Sequence, residues 1–213
     1  MIHVYGIVEE LGSLPALTGV GGSLLERRRV SGLELVVSHV AGDEVTEEAV
    51  LRHAEVVEQL LGRSRAVLPA RFGRPLAGEE ELSAAVGASA PELERGLRRV
   101  RGCVELGLRV VAAPANPVPK GESGTEYMQA RLAEERRRRR LLDELDAPLA
   151  RLSEATAPAG SSGGGAFVTS YLVAAENVPA FRKAVDALQE AHRELTIVCT
   201  GPWPPYSFGT RAE

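Results

Sequence analysis

The chain is short of cysteine, histidine, aromatic residues and long apolar runs, and each shortage excludes something. No stretch approaches the ~20 consecutive apolar residues that span a bilayer, so no membrane-spanning helix is expected. Cys103 and Cys199 lie far apart and form no CxxC pair. That argues against zinc and dithiol redox motifs and leaves buried free thiols in a reducing compartment as the expectation. His3, His39, His53 and His192 show neither HxH nor HExxH spacing, so each is expected to be structural or on the surface rather than a metal ligand. The N-terminal Met1-Ile2-His3-Val4-Tyr5-Gly6 has no basic leader pattern, and the chain reads as cytoplasmic.

Positive charge is also lacking. The formal net charge is −4, and a split at residue 101 leaves −3 on the first part and −1 on the remainder. Neither part has the basic excess of a nucleic-acid binder. Arg136 to Arg140 form a run, but Glu134, Glu135, Asp143, Glu144 and Asp146 flank it. Pairs such as Glu134–Arg138 and Glu135–Arg139 have helical i,i+4 spacing, and five consecutive residues spread around a whole helix. A solvated or protein-contacting helix is the favoured reading over RNA or lipid binding.

Motifs for catalysis and cofactors are missing as well. Gly19-Val20-Gly21-Gly22 opens no helix and makes no dinucleotide fingerprint. Lys120-Gly121-Glu122-Ser123-Gly124-Thr125 precedes a helix, yet it is no Walker sequence, and Glu122 and Glu126 would repel phosphate. Capping by Ser123 or Thr125 is the ordinary explanation. No serine, cysteine or threonine sits in a nucleophile setting such as GxSxG. No enzyme, cofactor or metal is expected.

What is present is an adequate globular core, with 213 residues that are 44% hydrophobic and 25% charged. Residues 2–8 read as a first strand. Residues 24–30 and 33–40 read as a hairpin through Ser31-Gly32. A helix follows, capped by Asp43 or Thr46 and stopped by Gly62, with Val50, Ala54, Val57 and Leu61 as its apolar stripe. Residues 66–70 form another strand leading into Arg71-Phe72-Gly73. Two short helices are expected at 79–87 and 91–101, divided near Pro91.

Residues 103–113 read as a strand and Ser123 to Glu154 as a long helix, with Leu142, Leu145, Leu149 and Leu152 packing and Pro148 as a possible kink. Residues 157–165, APAGSSGGG, look like a flexible linker. A strand at 166–175, a helix at 178–192 capped by Asn177, and a strand at 195–200 complete the chain. The expectation is an α+β protein of two domains, 1–101 and 102–213. The second is a modified ferredoxin-like αβ sandwich with a long helix and one strand missing or displaced.

Two segments stand out. Pro202-Trp203-Pro204-Pro205-Tyr206-Ser207-Phe208 gathers three aromatic side chains in a chain with one Trp, four Tyr and four Phe. Its prolines predict a stiff, extended arm beyond the last strand. That arm either closes its own domain's core or presents Trp203, Tyr206 and Phe208 as a binding surface, and the two can coexist. Arg71-Phe72-Gly73 ends a strand in a turn. Arg71 is read first as a buried guanidinium tying loops together, with exposure to a partner as the alternative.

Taken together, VLPARFG (67–73), GCVELGLRV (102–110), SGTEYMQAR (123–131), SYLV (170–173) and TGPWPPYSF (200–208) resemble the gas vesicle protein GvpF/GvpL family. Order and spacing match over nearly the whole chain. Arg74-Pro75-Leu76 and Met128 depart from the usual residues. The resemblance implies two α+β domains and an accessory role in gas vesicle formation, without catalysis or cofactor. It implies association with the major hydrophobic shell protein and other accessory proteins, and a place on the vesicle, with the gas-facing side of the shell as the location carried over from the family. The residues it singles out are Arg71, Phe72, Gly73, Tyr127, Pro202, Trp203, Pro204, Pro205, Tyr206 and Phe208. The alternative is a ferredoxin-like small-molecule-binding or catalytic protein, which would show a pocket with convergent polar groups.

Overall fold

The computed structural model describes residues 1–43, 45–112, 124–162 and 166–209. The element order is β1 (Ile2–Glu9), β2 (Leu25–Val30), β3 (Leu33–His39), α1 (Glu47–Leu61), β4 (Ala66–Pro69), α2 (Glu79–Arg99), β5 (Cys103–Ala112), α3 (Gly124–Ala150), β6 (Ala155–Ser162), β7 (Ala166–Ala174), α4 (Val178–Ala191) and β8 (Leu195–Trp203). The chain divides into two compact units, Met1–Glu105 with Pro202–Glu213, and Leu106–Gly201.

In the first unit a four-stranded sheet has the order β2-β3-β1-β4. Its hairpin turns at Ser31 and Gly32, both with positive φ (50° and 83°), the geometry that matches the twist of the flanking strands. β1 pairs antiparallel with β3 and β4, and its register slips between Val4 and Gly6, so Tyr5 bulges. Tyr5 is fully buried, and its hydroxyl lies 2.9 Å from Ser38 Oγ and accepts from Val20 N at 2.7 Å. A Cβ at Gly19 would fall 2.2 Å from that hydroxyl. The glycine-rich segment therefore makes room for a tyrosine.

Thr46 caps α1, its side chain accepting from Ala49 N at 3.1 Å. The buried stripe is Ala49, His53, Val56, Val57 and Leu60, whereas Val50 is exposed. The expected stripe was rotated from the true one because it passed over a histidine. α2 is one continuous helix through Pro91, not two. Gly87, whose carbonyl loses its helical donor at Pro91, lies on the exposed face where water can serve it. The core of this unit joins Tyr5, Val8, Leu11, Val36, Val56, Val57, Leu60 and Val67.

The second unit has the order β5–α3–β6–β7–α4–β8, with spatial order β6-β7-β5-β8. The Gly/Ser-rich segment expected to be a linker supplies β6, whose residues Ala155 to Ser162 pair antiparallel with Leu172 to Ala166. An edge strand can be held by backbone bonds alone, and there a proline such as Pro158 is tolerated. Residues 163–165 of the expected linker lie outside the described residues. Leu106, Leu108, Val110, Leu145, Leu149, Tyr171, Val173, Phe181, Val185, Leu195 and Ile197 form the core.

Tyr171 reaches Asp146 through a 2.7 Å hydrogen bond, and burial first, then that carboxylate, pushes its phenol up. Phe181 and Val185 are buried on α4 as the spacing predicts, but Asn177 makes no side-chain cap bond.

Candidate functional site

The residues after β4 are fixed before any side chain is considered. Ala70 N donates to Tyr5 O at 2.9 Å, and Ile2 and Leu76 exchange backbone bonds of 2.7 and 2.8 Å. Loop 70–76 is thus stitched to β1 at both ends. Between the stitches, Phe72 lies over two buried imidazoles, with ring centroids 5.4 Å from His3 and 5.6 Å from His53.

The imidazoles form a relay. His53 Nε2 lies 2.9 Å from Ala70 O, and His3 Nε2 lies 2.8 Å from His53 Nδ1. A carbonyl only accepts, so His53 carries its proton on Nε2, and its bare Nδ1 accepts from His3 Nε2–H. Burial, then the neighbouring His53, lowers the His3 pKa from 6.5 to about 4, and burial lowers His53 as well. Both rings are neutral at pH 7 and tie α1, β1 and the loop together. Two scattered histidines therefore meet, as a structural pair.

Arg71 does not play the buried role first expected of it. It is exposed, with no hydrogen bond or ion pair among the described residues. Phe72 is half-buried in the ring cluster, and Gly73 is exposed. The loop is held from below and offers the unpaired Arg71 guanidinium to solvent, whereas Arg74, also exposed, is engaged by Glu81.

The second segment also departs from expectation. β8 continues through Pro202 to Trp203, and the chain then turns instead of extending. Tyr206 N donates to Pro204 O at 2.8 Å, and Phe208 and Gly209 N both reach Pro205 O at 3.2 Å. β8 is an edge strand, where a proline such as Pro202 is tolerated.

Pro204 and Pro205 are buried, Phe208 is 3% exposed, and Arg99 sits 5.8 Å from the Phe208 ring centroid. Tyr206 packs against the first unit's core, and burial, then Glu58, pushes its phenol up to about 12. Glu105 grips the turn, accepting from Ser207 N at 2.8 Å and Ser207 Oγ at 2.7 Å. The sequence reading put the arm in the second domain; its packing puts it in the first unit, because these contacts are made there.

Of the three aromatics, only Trp203 is displayed, at 46% exposure. Phe208 cannot shape a contact surface in this conformation. Sequence reasoning missed Glu105, which is 8% exposed. The signal was a single carboxylate inside the apolar strand Val104-Glu105-Leu106.

Tyr127 lies in the second unit on α3, exposed, with Arg131 Nη1 3.4 Å from its hydroxyl. Gly124 begins the helix, and Lys120 to Ser123 of the weighed anion loop lie outside the described residues. Glu135–Arg139 forms no ion pair; the Arg138 side chain lies outside the described set. Among the described residues no acid, histidine and cysteine cluster could hold a metal, and no helix is long and apolar enough to cross a membrane. Cys103 is buried and Cys199 half-buried, and neither is in a disulfide. Burial raises the Cys199 pKa, which suppresses thiolate chemistry.

The family profile described as gas vesicle synthesis protein GvpL/GvpF matches residues 1–210. The chain is 30% identical to gas vesicle protein F2 of Halobacterium salinarum, over 97% of its own length and 91% of the relative's. It is 26% identical to gas vesicle protein F of Haloferax mediterranei, over 97% and 92%. Its fold is similar to the crystal structures of GvpF from an Anabaena species (TM-score 0.84, 17% identity, covering 100% of this chain and 99% of that one). GvpF from Microcystis aeruginosa superposes with TM-score 0.82 at 17% identity, covering 98% of each chain.

Proposed function

The chain belongs to the GvpL/GvpF family of gas vesicle synthesis proteins, and from that premise we propose that it is an accessory protein that binds the hydrophobic shell protein during vesicle assembly. Family membership gives it a role in gas vesicle formation. The binding and adaptor role is our reading, as is the association with other accessory proteins. We also read the second unit, with its β–α–β–β–α–β order, as a modified ferredoxin-like domain beside an N-terminal α+β domain.

The observation that carries the proposal is the division of labour along the arm. Pro204, Pro205 and Phe208 are buried and Glu105 holds the turn, so Trp203 stands exposed on an immobilised backbone. A large aromatic fixed in advance binds with little ordering cost. In the same unit Arg71 is exposed on a loop pinned by Phe72. A shell subunit exposes apolar surface before it polymerises, and covering that surface prevents aggregation. Binding here needs no cofactor and no catalysis, and we place the protein at the vesicle and in the cytoplasm where vesicles assemble.

The test is co-purification of tagged protein with the shell protein, followed by flotation of washed vesicles. Wild type is expected to retain the shell protein, and Trp203→Ala to retain less while keeping its melting temperature. Equal recovery by the folded variant would remove Trp203 from the interface. Presence in the floating fraction marks a retained vesicle component; soluble co-purification alone marks a transient adaptor. Recovery in neither would sink the proposal.

A further inference from the structure

The long helix holds a surface that the arm does not explain. From residue 124 to residue 140 every described side chain of α3 is exposed. That is a rod of ~25 Å at 1.5 Å per residue, far more than a helix leaves bare when it serves only its own core. Met128 and Leu132 are 54% and 52% exposed. At i,i+4 spacing they share one face, which Arg136 and Arg139 extend toward the helix C-terminus. Arg136, Arg137, Arg139 and Arg140 have no ion-pair partner among the described residues.

α1 carries the opposite pattern. Glu47, Glu48, Leu51, Arg52 and Glu55 line an open groove of about 450 Å³. Leu51 is 62% exposed. Arg52 is engaged by Glu55 at 2.8 Å, whereas Glu47 and Glu48 have no cationic partner among the described residues. The groove is thus an apolar centre with unpaired carboxylates at the helix start.

We infer that the exposed half of α3 docks against this face of α1 in a second copy of the chain. The helices run antiparallel, with Leu51 against Leu132. One turn toward the α1 N-terminus then brings Glu47 and Glu48 opposite Arg136, one turn toward the α3 C-terminus, with Arg139 a further turn along the same face. The antiparallel setting also places the helix dipoles favourably. A second copy supplies the complementary charge and the apolar residue together.

Two different faces are joined, so the contact is heterologous and adds copies head to tail. A single helix face buries less than the ~1,200 Å² of a stable complex, so association is weak, concentration-dependent and screened by salt. The inference goes beyond shell-protein binding and requires only the purified chain.

Sedimentation velocity over a concentration series tests it. Wild type is expected to gain mass with concentration at low salt and to lose that gain at high salt. Glu47→Lys with Glu48→Lys, and separately Arg136→Glu with Arg139→Glu, are each expected to weaken self-association by at least about tenfold. All four positions are exposed, and circular dichroism confirms that the variants are folded. Mixing the two variants restores association, because each offers the face the other's reversed charges require. A wild type that stays monomeric, variants that associate like wild type, or a mixture no heavier than its parts would each overturn the inference. A wild type that is monomeric yet co-purifies with the shell protein leaves the functional reading standing and removes only this one.

Discussion

The aromatic arm and the first half of α3 make opposite use of their side chains. The arm concentrates tryptophan, tyrosine and phenylalanine, and spends most of them on its own unit: Phe208 is 3% exposed and Tyr206 joins the core, leaving only Trp203 in solvent. The helix segment is rich in charge, and it leaves Tyr127, Met128 and Leu132 outside. Apolar content alone therefore does not mark a contact surface. What marks it is whether the segment has somewhere of its own to bury that content. The arm has the sheet and α1 of the first unit. The first half of α3 has nothing among the described residues, and only from Leu141 onward does the helix join a core.

Breaking the buried halves produces the largest effects. Phe208→Ala and Leu149→Ala should each cost about 3 kcal/mol, read as a shift of the urea midpoint at unchanged slope. Trp203→Ala and Leu132→Ala, their exposed counterparts, should change stability by less than about 0.5 kcal/mol. A destabilisation at Trp203 equal to that at Phe208 would erase the contrast within the arm.

Acid probes the loop. His3 has a folded pKa of about 4 against 6.5 in the unfolded chain. Between those values the unfolded state binds the extra proton, so stability is full above pH 6.5 and falls as pH drops toward 4. At about 1.4 kcal/mol per pH unit the loss approaches about 3 kcal/mol. His53, also lowered, adds in the same direction. His3→Gln should flatten this slope in urea titrations at successive pH values; an unchanged slope would mean that the pair is not what acid breaks.

The smallest change is the most local. Glu105→Gln keeps one acceptor for Ser207 but loses the charge-assisted pair, at about 1 kcal/mol. It should also loosen Trp203, seen as lower fluorescence anisotropy, while leaving Leu132 variants unaffected. No change in anisotropy would separate Glu105 from the display of Trp203.

Local chemistry was readable where a residue's own backbone preference decides the outcome. Ser31-Gly32 makes the hairpin turn, and Thr46 caps α1, because each needs only its immediate neighbours. Reading failed where a partner distant in sequence decides. The Gly/Ser-rich stretch became β6 because β7 offers a backbone to pair with, and no side-chain pattern announces that. α2 crossed Pro91 because the affected carbonyl faces solvent. The arm turned inward because Glu105, distant in sequence, accepts from Ser207.

The candidate site divides in the same way. The motifs drew attention to Arg71, Phe72 and the residues from Pro202 to Phe208, and the spread of matching segments was enough to point to the family. Which of those side chains face outward was not in the motifs. Residue type sets what a group can do, since a proline lacks its N–H and an indole has a large apolar face wherever it stands. Exposure is a property of the surrounding packing. Only the tertiary structure could bury Phe208, expose Arg71 and bring His3 to His53, because desolvation depends on neighbours that the order of residues does not place side by side.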